Sequence, residues 1–138
     1  MRIMAIDYGD VRTGLAVSDP SGILCGEAWT VQERSAQRLA ELISDECQKR
    51  DVGLLVLGLP RNMDGSEGPR AEKSRALSQL LKDRSGLPVV LWDERRTSVD
   101  AHRILHESGK RMKKHRSTVD AVAASLILEG YLNSPYNK

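Results

Sequence analysis

The sequence predicts an α/β fold with a mixed sheet, and two observations lead there. Three short apolar runs separated by turn residues open the chain, which is an antiparallel beginning. From residue 35 onward, segments of helical period alternate with buried-strand runs, the mark of parallel crossovers. At 138 residues the chain is expected to form a single domain, 1–138, large enough for a proper core. Hydrophobic residues make up 40% and charged residues 29%, a balance found in soluble globular proteins. No apolar stretch approaches the ~20 residues of a membrane-spanning helix. The start, "MRIMAIDYG", runs straight into a strand pattern without a secretory signal, so a cytoplasmic location is expected. Cys25 and Cys47 have no ligand-type spacing and imply neither a zinc site nor a disulfide framework.

Residues 2–8 ("RIMAIDY") read as a strand apolar on both faces, suited to the centre of a covered sheet. Residues 13–18 and 23–31 read as two more strands, and "DPSG" between them supplies the proline and glycine of a tight hairpin turn. Over 35–50, Leu39, Leu42, Ile43 and Cys47 form one helical stripe. "VGLLVLGLP" (52–60) is a buried strand stopped by Pro60, and a polar loop follows to 68. Pro69 suits the first turn of a helix over about 70–85, packing through Ala76, Leu77, Leu80 and Leu81. "LPVVLWDE" (87–94) is a further strand ending in acids. A helix is expected over about 97–108, then the basic stretch "GKRMKKHRS" (109–117), then a last helix over 118–133. The order β-β-β-α-β-α-β-α is the ribonuclease-H-like order: a five-stranded mixed sheet with helices on both faces.

Acids from three distant parts of the chain stand at the ends of these elements. Asp7 closes the first strand, Asp93 and Glu94 close the last, and Asp120 begins the final helix. In α/β sheets, sites gather at the carboxyl ends of the strands. Burying a carboxylate without a partner costs several kcal/mol or keeps it protonated. Divalent cations relieve the mutual repulsion of gathered carboxylates, and a pair of ions ~3.5–4 Å apart can clamp the attacking and leaving oxygens of a phosphodiester. Each acid also has a plainer role. Asp7 can serve the "DYGD" turn, and Asp93 or Glu94 can pair with Arg95 or Arg96. Asp120 can stabilise a helix N-terminus within the capping-box pattern "STVD" from Ser117.

Other residues suggest contacts with a phosphate backbone. In D-x-G-x-x-R-x-G, Gly9 and Gly14 let the backbone approach a ligand and Arg12 can reach a phosphate. The loop "GLPRNMDGSEG" (58–68) is long for a strand-to-helix connection, and Arg61 and Asn62 are its candidate substrate contacts. Lys110, Arg111, Lys113, Lys114 and Arg116 form a basic run without an acid, suited to tracking a nucleic-acid backbone, although such runs are usually solvated surface. Only five aromatic residues are present, so base stacking is not the main recognition mode. His102 and His106 are four apart but lack a third ligand, and they read, like His115, as surface residues. Ala121, Ala123, Ala124 and Ser125 keep the last helix slim, which would let it lie close to the sheet and bring Asp120 near Asp7.

Taken together, "IDYGDVRTGLAVSD", "VLGLPRNMDGSEG", "LWDERRTS" and "VDAVAASLILEGYL" resemble the YqgF family, RuvX-like proteins described as Holliday junction resolvases and as pre-16S rRNA nucleases. The likeness covers nearly the whole chain. It implies a ribonuclease-H-like fold and nuclease chemistry with Mg²⁺ or Mn²⁺, leaving a 5′-phosphate and a 3′-hydroxyl. It also implies a role in maturing the 5′ end of small-subunit rRNA. Asp7, an acid of "DER" and Asp120 would form the acidic centre and hold the metal. Junction resolvases of this fold carry a glutamate after an earlier strand, which here ends "LGLP" without an acid. The longer Glu94 reaches farther, and Asp93 stays open. Arg12, Arg61, Asn62, Arg95 and the basic run 110–116 would hold the substrate backbone.

Other readings stay in view: cleavage of branched DNA rather than RNA, and a non-catalytic RNA or ribosome-assembly factor whose acids are remnants. A nucleotide-handling domain of the actin and sugar-kinase type shares the first turn but needs two domains around its ligand. Expected partners are pre-rRNA or branched DNA and ribosomal precursor particles, with no membrane. Either a monomer or a homodimer is compatible with the sequence.

Overall fold

The structure is a computed structural model. It describes the backbone of residues 1–94 and 116–137, and their side chains apart from those of 116–118. The strands are β1 (Arg2–Asp7), β2 (Arg12–Ser18), β3 (Cys25–Gln32), β4 (Val52–Leu59) and β5 (Val89–Asp93). The helices are α1 (Ala36–Arg50), α2 (Pro69–Ser85) and α3 (Arg116–Leu132). The sheet runs β3-β2-β1-β4-β5. β1 pairs antiparallel with β2 and parallel with β4, β2 pairs antiparallel with β3, and β4 pairs parallel with β5. The expected helix over 97–108 lies outside the described residues.

Local chemistry fixes the connections. Asp19 accepts the backbone N–H groups of Ile23 (2.8 Å) and Leu24 (2.9 Å), closing the β2–β3 turn. These bonds and the Ser21 hydroxyl hold its carboxyl well below the usual carboxylate range. Ser35 caps α1 by accepting the Arg38 N–H at 3.3 Å. α2 has Pro69 in its first turn and ends at Gly86, whose φ of 70° is left-handed.

Both faces of β1 and β4 are covered, so Ile3–Ile6 and Leu54–Leu57 read as unbroken apolar runs. One face collects Met4, Ile6, Leu15, Leu55 and Leu57 under Leu39, Ile43 and Cys47 of α1 and Leu77 and Leu81 of α2. The other collects Ile3, Ala5, Ala16, Val56 and Trp92 under Ala124, Ile127, Leu128 and Tyr131 of α3. Two packing expectations need correction. Leu42 is exposed, because the buried stripe of α1 turns through Ala40 and Ser44 instead. Ala76 is exposed as well, because the buried face of α2 runs Ala71, Ser74, Leu77, Ser78, Leu81. Its two serines are small enough to face the core, and a reading of apolar spacing alone passes over them.

Candidate active site

Because β1, β4 and β5 are parallel, their carboxyl ends share one edge of the sheet, and antiparallel β2 starts there. Side-chain alternation then decides which acids meet. Asp7 continues the face of Ile3 and Ala5, the face covered by α3. Trp92 lies on that same face, so the alternation puts Glu94 there and turns Asp93 to the opposite side with Leu91. The Glu94 carboxylate lies over Gly58: a Cβ at that glycine would stand 2.5 Å from Glu94 Oε1. Asp7 is paired in register with Gly14 of β2. A side chain at Gly14 would collide with the Asp120 carbonyl, so the α3 backbone rests directly on the strand at this point.

Asp7 and Glu94 are therefore joined by a hydrogen bond between their carboxyl groups. Burial, the negative charges of Glu94 and Asp120, and this hydrogen bond push Asp7 up to about 7, with Arg70 partly opposing. Glu94 is also raised, first by burial, while the bond from Asp7 and the charge of Arg70 pull it back. The two carboxyl groups thus share one proton between them. Asp120 lies within electrostatic range of Asp7, and burial raises its own pKa. Its Oδ2 is buried and accepts no hydrogen bond from the described residues; Arg12 Nε, at 3.5 Å, supplies charge.

No three acidic, histidine or cysteine side chains among the described residues form a finished ligand cage. The donor set nonetheless fits a hard divalent ion of the Mg²⁺ kind. Such an ion keeps much of its water and needs one or two protein carboxylates plus substrate phosphate oxygens. Two half-buried carboxylates that share a proton, beside a third whose Oδ2 has no hydrogen-bond partner among the described residues, are that kind of donor set.

The remaining predicted residues sort as follows. Arg61 stands between Glu67 (3.5 Å) and Asp93 (4.0 Å), and Glu67 is also gripped by Arg75 at 2.6 and 2.7 Å. A cleft of about 290 Å³ opens beside this network, between Arg61, Arg75, Trp92 and Tyr136. The Asn62 amide donates to the Ser66 hydroxyl at 2.9 Å, bracing the loop from within. Arg95, Lys110, Arg111, Lys113 and Lys114 lie outside the described residues. So does the side chain of Arg116, whose backbone is helical. Ser117 is helical too, so it does not cap the helix as "STVD" suggested. Gly9 and Gly14 serve close contacts within the chain: a Cβ at Gly9 would collide with the Arg12 carbonyl, and one at Gly14 with the Asp120 carbonyl. Sequence reasoning missed Arg70. It donates to the Tyr8 carbonyl at 3.1 Å, and its charge acts on both Asp7 and Glu94. Its place in the first turn of a helix that starts above the strand ends was the available signal.

Sheet order and site position together define a ribonuclease-H-like α/β protein with an acidic centre at the carboxyl edge of its sheet. The RuvX family, described as Holliday junction resolvase, matches residues 1–134, and the chain belongs to that family. A relative from Halothermothrix orenii, named "Putative pre-16S rRNA nuclease", is 43% identical over 133 residues, covering 96% of this chain and 95% of the relative. A relative of the same name from Thermoanaerobacter pseudethanolicus is 39% identical over 139 residues, covering 100% of both. Among solved structures, T. thermophilus RuvC in complex with a Holliday junction substrate superposes with a TM-score of 0.57. It is 13% identical, with 95% of this chain and 94% of that one covered, a likeness of fold alone.

Proposed function

We propose that this chain is a divalent-metal-dependent nuclease that hydrolyses phosphodiester bonds in structured nucleic acid, and that in the cytoplasm it processes the 5′ end of pre-16S rRNA. The observation that carries the reading is the half-buried Asp7–Glu94 pair beside Asp120 at the sheet edge. The names of relatives about 40% identical over nearly the whole chain support the choice of substrate.

Asp7 and Glu94 are the ligands we assign to Mg²⁺ or Mn²⁺, with Asp120 the third carboxylate. What such an ion supplies when bound is a more acidic water and neutralisation of phosphate charge. The chain's residues do the rest. For both carboxylates to serve as charged ligands, the Asp7–Glu94 pair would have to give up the proton it shares. Gly58 leaves room for the Glu94 carboxylate above β4. Arg12 holds Asp120 at the mouth of the site, and Arg61 presents a guanidinium at the ends of β4 and β5 where the substrate backbone would pass.

The test uses a labelled precursor 5′-leader RNA and a four-way DNA junction, each with Mg²⁺, Mn²⁺ or EDTA. Metal-dependent cutting of the leader at its mature 5′ end supports the reading. Preferential cutting of the junction would replace it with a resolvase, the reading favoured by the family description and by the fold of a junction-bound protein. Binding with no cleavage under any metal would leave a non-catalytic assembly factor.

A further inference from the structure

Outside the acidic centre, the strongest unassigned feature is a group of three charges where α2 meets the turn after β1. Each oxygen of the Asp10 carboxylate takes one cation: Arg70 Nη1 lies 3.1 Å from Oδ2 and Lys73 Nζ lies 3.2 Å from Oδ1. All three side chains are more than half exposed, so their mutual pairing contributes little stability. The placement is specific, however. Arg70 also donates to the Tyr8 carbonyl, one residue beyond Asp7, and its charge reaches Asp7 and Glu94. The pair of cations therefore borders the acidic centre, and what it holds is an anion with one charge spread over two oxygens. A phosphodiester presents the same thing, one charge over two non-bridging oxygens.

We infer that Arg70 and Lys73 form a seat for a phosphate of the nucleic-acid backbone beside the reacting one, and that Asp10 occupies this seat as an internal stand-in until substrate displaces it. The inference rests on the nuclease reading and deepens it. Substrate phosphate competes with Asp10, which weakens binding of any single phosphate and favours a backbone that engages the acidic centre at the same time. Asp10 then acts as a filter against loosely held polyanions. Released from the cations, its exposed carboxylate returns to water at little cost.

The experiment measures anisotropy of a fluorescein-labelled 5′-leader RNA hairpin in EDTA, where no cleavage intervenes, across a series of NaCl concentrations. Wild type is compared with D10N, R70A, K73A and D10N/R70A, and melting curves certify that each variant is folded. D10N is expected to bind about three- to tenfold more tightly than wild type, because a competing charge is gone. R70A and K73A each bind more weakly, and each lowers the salt slope by about one. In D10N/R70A the gain of D10N largely disappears. Wild-type binding with folded D10N no tighter, or with R70A and K73A unchanged, overturns the inference alone and leaves the triad as a turn clamp. Wild type that binds neither the hairpin nor a four-way DNA junction overturns the nuclease reading and the inference with it. Should D10N melt early, D10S is read in the same way.

Discussion

Gly14 of β2 lies directly against the backbone of Asp120: a Cβ on that glycine would overlap the Asp120 carbonyl and come within 3.2 Å of Ala121 N. The contact brings the first described turns of α3 onto the strand that pairs with β1, opposite Asp7 itself. It sets the distance between the third acid and the other two. Gly14→Ala forces backbone away from backbone, which a rotamer change cannot relieve. We expect a loss of about 1–3 kcal/mol in stability and a fall in cleavage rate of at least roughly tenfold. Urea titration and single-turnover cleavage check both.

Gly58→Ala is a different kind of collision. The new methyl meets the far end of the Glu94 side chain at 2.5 Å and the Ile127 Cδ1 at 2.8 Å, both movable. Stability should fall by less than in Gly14→Ala. Cleavage should still fall, because Glu94 is pushed from its place beside Asp7. A variant that loses stability but keeps full activity would contradict the placement of Glu94.

The acid pair gives stability a pH dependence with a defined sign. Asp7 holds its proton to about pH 7 in the folded protein, against an ordinary value of 3.8. Between those values the folded state binds more protons than the unfolded one. In EDTA this contribution therefore declines as pH rises from about 4 to about 7 and is lost above. Asp7→Asn removes the dependence. It should melt above wild type at pH 8 in EDTA, show no such advantage at pH 4, and cleave nothing. Added Mg²⁺ should raise the melting temperature of wild type at pH 8 and leave that of Asp7→Asn nearly unchanged.

Arg61 offers a separation of binding from folding. Its pairs with Glu67 and Asp93 are long and partly exposed, so Arg61→Ala should cost under about 1 kcal/mol in melting experiments. If its guanidinium also meets the substrate backbone, KM for the leader RNA rises severalfold while kcat changes little.

Much of this site is legible in the sequence, and the illegible parts share a physical cause. Asp7 and Asp120 stand out because each acid sits where a strand end or a helix start is due. Sheet order follows from the alternation of apolar runs with helical stripes. The choice between Asp93 and Glu94 was not legible, because "VVLWDE" is apolar on both faces and shows no preferred side. Only the register of β5 against β4, with Trp92 opposite Gly58, gives Glu94 the face of Asp7. Arg70 and Asp10 are 60 residues apart in the chain, and no local pattern announces that pairing. The small serines facing the core in α2 were hidden for a related reason: burial there is decided by fit against α1 and the sheet, not by hydropathy.

The most direct measurement compares cleavage of labelled precursor 5′-leader RNA by wild type, Glu94→Gln and Asp93→Asn under single-turnover conditions with Mg²⁺. The geometry predicts that Glu94→Gln loses roughly a hundredfold or more while Asp93→Asn, on the opposite face beside Arg61, keeps most of its rate. Equal losses in the two variants, or a greater loss in Asp93→Asn, would contradict an acidic centre built on Asp7 and Glu94.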